Sequence, residues 1–74
     1  MTKDELKNYE IGKEYFFKTK FRLKRIRGIL TSKDSHYTGL SLYHGCETLE
    51  FKTKRGTKFS LVLYGIEKIE SIGN

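Results

Sequence analysis

The sequence predicts an all-β fold, in which a small and strongly bent sheet or barrel of five or six short strands follows a short N-terminal helix. Apolar and polar residues alternate with a period of two along much of the chain, which is typical of strands with one buried face. Seven glycines are spread along the 74 residues and proline is absent, so glycine-containing turns are expected to separate the strands. A chain of this length forms one domain, residues 1–74, with a small core.

The first nine residues predict the helix. Thr2 and Glu5 have the spacing of a capping box, in which the two side chains bond each other's backbone N–H groups. Acidic residues in this first turn also suit the positive end of a helix dipole. We expect the helix to end at Asn8 or Tyr9, with Leu6 and Tyr9 facing the core.

A strand begins near Tyr15, where the period changes to two. The inward-facing positions change parity before Ile26. This change predicts a turn or bulge near Lys24 and Arg25, because a one-residue shift reverses the buried face of a strand. The inward series of this strand is predicted to be Tyr15, Phe17, Thr19, Phe21 and Leu23.

The middle of the chain predicts a loop and a hairpin. Residues 31–36 are polar and predict a loop, whereas residues 37–43 predict a strand with Leu40 and Leu42 on one face. The His-Gly pair at residues 44–45 predicts a two-residue hairpin turn, because glycine accepts the positive φ that such turns need.

The second half of the chain predicts two strands joined by a turn, and then a short final element. Residues 46–53 form the first strand and residues 54–57 the turn. Inward positions of the next strand are 59, 61 and 63. Isoleucines at positions 66, 69 and 72 are spaced by three, which fits a short kinked strand or a helical turn. The core is predicted to include Leu42, Phe51 and Leu61.

The positive charge is concentrated in two segments. Residues 13–27 contain seven basic side chains and one acid, Glu14, and residues 51–66 contain four basic side chains and no acid, in a chain with a net charge of +6. Such segments are typical of surfaces that bind phosphates. The alternative is a solvated strand face on which lysines protect a sheet edge from pairing.

From these segments we expect a nucleic-acid-binding protein whose ligand is RNA or another single-stranded nucleic acid. Phosphate contacts give affinity without sequence information. Unpaired bases stack on exposed aromatic rings, and we assign that role to Tyr37 with His36; the alternative for an aromatic residue is burial in the core. The predicted phosphate-binding residues are Lys18, Lys20, Arg22, Lys24, Arg25 and Arg27, with Lys54 and Arg55 at a hairpin tip.

A protein-interaction module is the alternative function. A small basic domain could bind an acidic surface of a larger protein or act as an accessory inhibitor, and its charge would then accelerate association. One feature separates the two functions. A nucleic-acid site needs exposed aromatic rings and cations on one surface, whereas buried tyrosines and scattered cations favour protein binding.

The sequence predicts no catalytic, metal or cofactor site, and we expect no enzyme. Phosphate-loop, metalloprotease and nucleophile-elbow motifs are absent. His36 and His44 have no partners at ligand spacing, and Cys46 lacks a base oriented by a third group. A single cysteine excludes an internal disulfide and a cysteine-based zinc site. No apolar run approaches the roughly 18 residues of a membrane helix, and the N-terminus is polar, so we expect a cytoplasmic protein without a membrane partner.

Two stretches resemble the signatures of the Sm/LSm/Hfq family. In residues 28–42, Gly28, Leu30 and Asp34 have the spacing of the first signature and precede His36. Residues 63–69, in which a glycine precedes spaced isoleucines, look like the second signature. The resemblance implies a short helix before a strongly bent five-stranded sheet, RNA binding, and homo-oligomeric rings in which edge strands of neighbouring subunits pair.

The chain departs from this family pattern at the base-binding positions. Thr38 and Gly39 replace the family's Asn after the loop aromatic, and Tyr64 replaces the Arg before the second glycine. The role of the loop aromatic therefore falls to His36 or Tyr37.

Two other barrel families share parts of the pattern. Asp34, His36 and Gly39 are similar to the D-x-S-x-x-G motif of PilZ-type barrels, which implies a cyclic dinucleotide ligand, although His replaces Ser and the preceding Arg pair is missing. SH3-like barrels that bind proteins also fit the predicted strands.

Overall fold

The computed structural model describes residues 1–39, 42 and 44–72, and these residues contain one antiparallel sheet of five strands. The strands are β1 (Glu14–Thr19), β2 (Ile26–His36), β3 (Glu47–Lys52), β4 (Lys58–Val62) and β5 (Ile66–Ser71). A 3-10 helix, Lys3–Asn8, precedes β1, and a second one, Leu63–Gly65, joins β4 to β5. The spatial order is β4-β3-β2-β1-β5, so β4 and β5 are the edges of the sheet. The predicted all-β class is confirmed, and closure of the sheet into a barrel stays a prediction.

The N-terminal helix lies where it was predicted and is of the 3-10 type. The backbone N–H of Thr2 donates to Glu5 Oε1 at 3.3 Å. Leu6 is buried and Tyr9 is partly buried against the core. At the other end of the helix, Lys33 Nζ donates to the carbonyl oxygens of Leu6 and Tyr9, at 3.3 and 2.8 Å. The Tyr9 carbonyl gains a partner at the helix end in this way, whereas the Leu6 carbonyl also accepts the Tyr9 N–H at 3.1 Å.

The core is built around three parallel aromatic rings. Phe17 stacks on Phe51 with ring centroids 4.1 Å apart, and Phe51 stacks on Phe59 with centroids 5.1 Å apart. Gly28 of β2 packs directly against the Phe51 ring of this column. A Cβ at that position would overlap the ring, so only glycine fits there. The inward alternation predicted for β1 is confirmed at residues 15, 17 and 19. The buried apolar residues are Leu6, Tyr15, Phe17, Leu30, Leu49, Phe51, Leu63, Ile66 and Ile69.

The inward series predicted for the first strand ends earlier than expected. β1 stops at Thr19, and residues 20–25 form the connection to β2. Phe21 and Leu23 lie in this connection and are 66% and 98% exposed, so their predicted inward position is wrong. The turn predicted near residues 24–25 is confirmed, and the change of parity before Ile26 follows from it.

The polar segment 31–36 is a strand, and the predicted loop is wrong. It forms the second half of β2 and pairs with β3, with shifts of register between Leu30 and Ser32 and between Ser32 and Ser35. Pairing with β3 supplies backbone hydrogen bonds, and many of its side chains remain exposed. Side chains that remain in contact with water need not be apolar, so this half of β2 lacks the alternation that marks a strand with one buried face.

The predicted strand at 37–43 is absent from the described part of that segment, residues 37–39 and 42. Leu42 is 99% exposed, so its predicted core position is wrong; Leu40 and Tyr43 lie outside the described residues. The Tyr37 N–H donates to the Cys46 carbonyl and the Gly45 N–H donates to the Tyr37 carbonyl, each at 2.9 Å. The connection from β2 to β3 is thus longer than the predicted two-residue turn at 44–45.

The second half of the chain agrees closely with its prediction. β3 buries Leu49 and Phe51, while Leu61 on β4 is only partly buried. The predicted turn is closed by a hydrogen bond from the Thr53 N–H to the Thr57 carbonyl at 2.9 Å. Of the two alternatives for the isoleucine-spaced segment the strand is confirmed, as β5, whereas Leu63, predicted to continue the preceding strand, lies in the 3-10 turn before β5 and is buried. No helix among the described residues is long and apolar enough to cross a membrane.

Candidate functional site

Two connections lie at the same end of the sheet, and the β3–β4 turn borders a cleft there. The start of β2 faces the end of β3, because Ile29 pairs with Lys52, so the β1–β2 connection and the β3–β4 turn are neighbours. The cleft has a volume of about 390 Å³. We call it the basic cleft, and it is lined by Glu14, Arg27, Thr53, Lys54, Arg55, Thr57 and Phe59.

Three of the predicted phosphate-binding residues line the basic cleft, and a fourth, Arg22, lies over the Phe59 ring beside it. Arg27 reaches it from β2, and Lys54 and Arg55 reach it from the β3–β4 turn. The guanidinium of Arg22, in the β1–β2 connection, lies over the Phe59 ring at 5.5 Å from its centroid. The structure therefore brings cations from both basic segments of the sequence to one aromatic side chain.

Phe59 is the residue of the cleft that sequence reasoning missed. Its alternation with polar neighbours predicted an inward position, and it does stack on Phe51. It is nevertheless only partly buried and lines the cleft. The alternation of apolar and polar residues around Phe59 is the same as around a fully buried residue. Its exposure depends on which distant segments pack beside it, and the local sequence does not contain that information.

Glu14 is the acid of the basic cleft. Its Oε1 accepts a hydrogen bond from Arg27 Nη2 at 3.0 Å. This bond lowers the pKa of Glu14 below its ordinary value, and the charges of Arg27 and Lys54 add to the effect against the opposing influence of burial. The same contact raises the pKa of Arg27. Glu14 is thus ionised at neutral pH and cancels part of the positive charge of the cleft.

Replacing Glu14 with Gln is expected to strengthen binding of single-stranded nucleic acid if phosphates occupy the basic cleft. The amide keeps the size of the side chain and removes the charge that competes for Arg27. The slope of log K against log salt should steepen by up to about 0.7, the value of one additional phosphate contact on a single strand. Fluorescence anisotropy with a labelled oligonucleotide at several salt concentrations measures this slope.

Glu47→Gln is the matched control for this prediction. Glu47 is exposed at the start of β3 and is not part of the cleft lining, so the variant changes the net charge equally outside the cleft. A gain in affinity of the same size in both variants would mean that total charge, and not the cleft, controls binding.

Arg25 is held on the outer face of the sheet, outside the lining of the basic cleft. Its guanidinium lies 4.2 Å from the centroid of Phe16. Its Nη1 pairs with Glu70 Oε1 at 3.3 Å, and the Arg27 guanidinium is also 5.8 Å from the Phe16 centroid. Phe16 is therefore flanked by two of the protein's own arginines, and it lines a second depression, of about 660 Å³, with the predicted residues Lys18, Lys24 and Arg25.

Lys18 contacts backbone carbonyls of the chain itself. Its Nζ donates to the Arg22 carbonyl at 2.7 Å and the Thr19 carbonyl at 3.0 Å, and it pairs with Glu67. These contacts shape the β1–β2 connection that carries Arg22. Lys20 and Lys24 are exposed in the same connection, and the Lys20 N–H donates to the Gly65 carbonyl at 2.9 Å.

His36 and Tyr37 do not line the basic cleft. They follow one another at the end of β2, at the opposite end of that strand from Arg27. Both line a separate pocket of about 480 Å³ with Ser35 and Glu50. Tyr37 also lines an apolar groove that includes residues 21, 61 and 62. The predicted stacking surface and the cluster of cations are thus separate features of this structure.

Comparisons with protein-family models, with curated proteins and with solved structures give no match to this chain.

Proposed function

We propose that this protein binds RNA or another single-stranded nucleic acid through the basic cleft. The observation that carries the proposal is that Arg27, Lys54 and Arg55 line one cleft with the partly exposed Phe59, over whose ring Arg22 lies. Cations release condensed counterions when they bind phosphates, and this release supplies much of the affinity for nucleic acids. An aromatic ring among them adds a stacking surface for a base.

An Sm-like arrangement is part of this proposal. The order of elements supports it, since a short N-terminal helix and a five-stranded antiparallel sheet follow the order that the sequence resemblance implies. β4 and β5 are edge strands, and edge strands offer unpaired backbone groups to another chain. Pairing of β4 with β5 of a neighbouring subunit would satisfy these groups in a ring.

We expect the purified protein to self-associate. A small domain has limited apolar burial, and two free sheet edges together with the exposed Leu23 favour association. Light scattering coupled to size-exclusion chromatography at high micromolar concentration measures the mass. A strictly monomeric mass, with a cooperative unfolding transition, would contradict this expectation.

The proposed function is tested by binding of the wild-type protein to labelled RNA, single-stranded DNA and duplex DNA. Four phosphate contacts on a single strand should give a slope of log K against log salt of about −3. Because phosphate contacts carry no sequence information, affinity should vary little among single strands of equal length. Absence of binding to every oligonucleotide at about 50 mM salt, where counterion release strongly favours association, would refute the proposal.

Binding to an acidic protein surface is the second candidate function. The observation that favours it is the exposure of Phe21 and Leu23 within the basic β1–β2 connection, beside the apolar groove that Tyr37 lines. Exposed apolar side chains with a charged surround are typical of protein contacts. Binding to an acidic protein but to no oligonucleotide would favour this candidate.

A further inference from the structure

We infer that the basic cleft holds one unpaired base, stacked on the ring of Phe59 at the open end of the aromatic column. This inference deepens the proposed function and rests on it. Phe17, Phe51 and Phe59 form three nearly parallel planes, with interplanar angles of 9° and 13°. The first two rings are buried and the third lines the cleft, so a base would be the fourth plane of the column.

Arg22 supplies a second planar surface for such a base. Its guanidinium lies over the Phe59 ring at 5.5 Å from the centroid, which is too close for a base to lie between the two planes, so the side chain has to move outward as a base stacks on Phe59. Arginine planes stack on unpaired bases as aromatic rings do, and the displaced guanidinium would then cover the other face of the base. Lys18 donates to the carbonyl of this arginine, which fixes the backbone of the β1–β2 connection and not the Arg22 side chain.

The remaining cations are positioned for the phosphates that flank such a base. Lys54 and Arg55 lie on the β3–β4 turn at the rim of the cleft, while Arg27 is oriented by its bond to Glu14. The cleft volume of about 390 Å³ lies within the range of roughly 300–1,000 Å³ typical of small-molecule sites. A duplex keeps its bases stacked on each other, so its bases would have to be extruded to reach Phe59.

Phe16 provides an internal comparison for this inference. It is also a partly buried phenylalanine beside arginines. Arg25 covers its ring at 4.2 Å and is itself bound to Glu70. Phe16 also lines a depression of about 660 Å³ with Lys18, Lys24 and Arg25, so a variant at Phe16 tests whether this second aromatic site takes the base instead of Phe59.

The first test uses the wild-type protein and two strands of equal length and charge, one carrying bases and the other abasic. Stacking of one base predicts that the base-containing strand binds about 5- to 150-fold more tightly. Both strands should show the same salt slope, because their phosphates are equal. Equal affinity for the two strands overturns the stacking inference and leaves the proposed function standing. Binding of neither strand at low salt overturns the proposed function itself.

The second test locates the base with variants and a fluorescent base. In an otherwise abasic strand, a single 2-aminopurine should lose fluorescence on binding, because stacking on a ring quenches it. Phe59→Leu should abolish the quenching and reduce affinity to that of the abasic strand. Phe59→Tyr keeps the ring and should retain both properties, and Phe16→Leu is the matched control that should also retain them.

Each result of the second test decides the inference. Loss of quenching in Phe59→Leu but not in Phe16→Leu supports stacking on Phe59. Unchanged quenching in Phe59→Leu, or equal loss in Phe16→Leu, overturns it. If Phe59→Leu fails to fold, full quenching by the wild type and by Phe59→Tyr supports the inference, and absence of quenching in the wild type overturns it.

Discussion

Replacing Phe51 with Ala is expected to destabilise the protein by about 3–5 kcal/mol, the usual cost of removing a buried phenylalanine ring. Phe51 is 1% exposed and stacks between Phe17 and Phe59, so its loss leaves a cavity that two neighbouring rings border. A small domain has a total stability of roughly 5–15 kcal/mol. The variant should therefore unfold at much lower urea concentration, as measured by circular dichroism.

Leu42→Ala is the control for this prediction. The sequence assigned Leu42 and Phe51 to the same core, but Leu42 is 99% exposed. Removal of an exposed side chain should change stability by no more than about 0.5 kcal/mol. A large loss in Leu42→Ala, or a small one in Phe51→Ala, would contradict the core described above.

Neutralising the four cations of the candidate site is expected to have the largest effect on binding. The variant changes Arg22, Arg27, Lys54 and Arg55 to Gln. Each lost phosphate contact on a single strand contributes about 0.7 to the salt slope, so the slope should flatten by roughly three units. Affinity should fall for all sequences alike, because phosphate contacts carry no sequence information. Anisotropy titrations between about 50 and 200 mM salt test this expectation.

The matched control removes four positive charges elsewhere. It changes exposed lysines outside the lining of the basic cleft, at positions 3, 7, 13 and 68, to Gln. The total charge of the two variants is then equal, so long-range attraction weakens equally in both. A flattening of the slope in the control as large as in the cleft variant would show that binding is spread over the whole surface.

The sequence by itself determined the elements whose signals are local. The capping box at Thr2 and Glu5 predicted the N-terminal helix, and the alternation around Phe17 predicted β1. Gly56, with φ of +89°, occupies the turn predicted between β3 and β4. These features depend on the conformational preferences of a few adjacent residues, so a short stretch of sequence contains the information.

Only the tertiary structure decided which strands the polar residues join and where the inward series ends. The segment at 31–36 has no apolar alternation, yet pairing with β3 makes it a strand. Phe21 continues the alternation of β1 but is exposed, because the chain turns after Thr19. The physical reason is that strand pairing is a contact between distant segments, and the partner's backbone, absent from the local sequence, supplies the hydrogen bonds.

Contacts between distant segments also decided which residues make up the candidate site. The sequence identified two basic segments but could not rank their members. Arg25 and Arg27 are two positions apart, yet Glu70 holds the first on Phe16 while Glu14 orients the second in the basic cleft. Phe59 lines the cleft because the β3–β4 turn and Arg27 of β2, from distant parts of the chain, meet beside it. Folding determines these neighbours, and the neighbours determine which cations and which ring a ligand can reach.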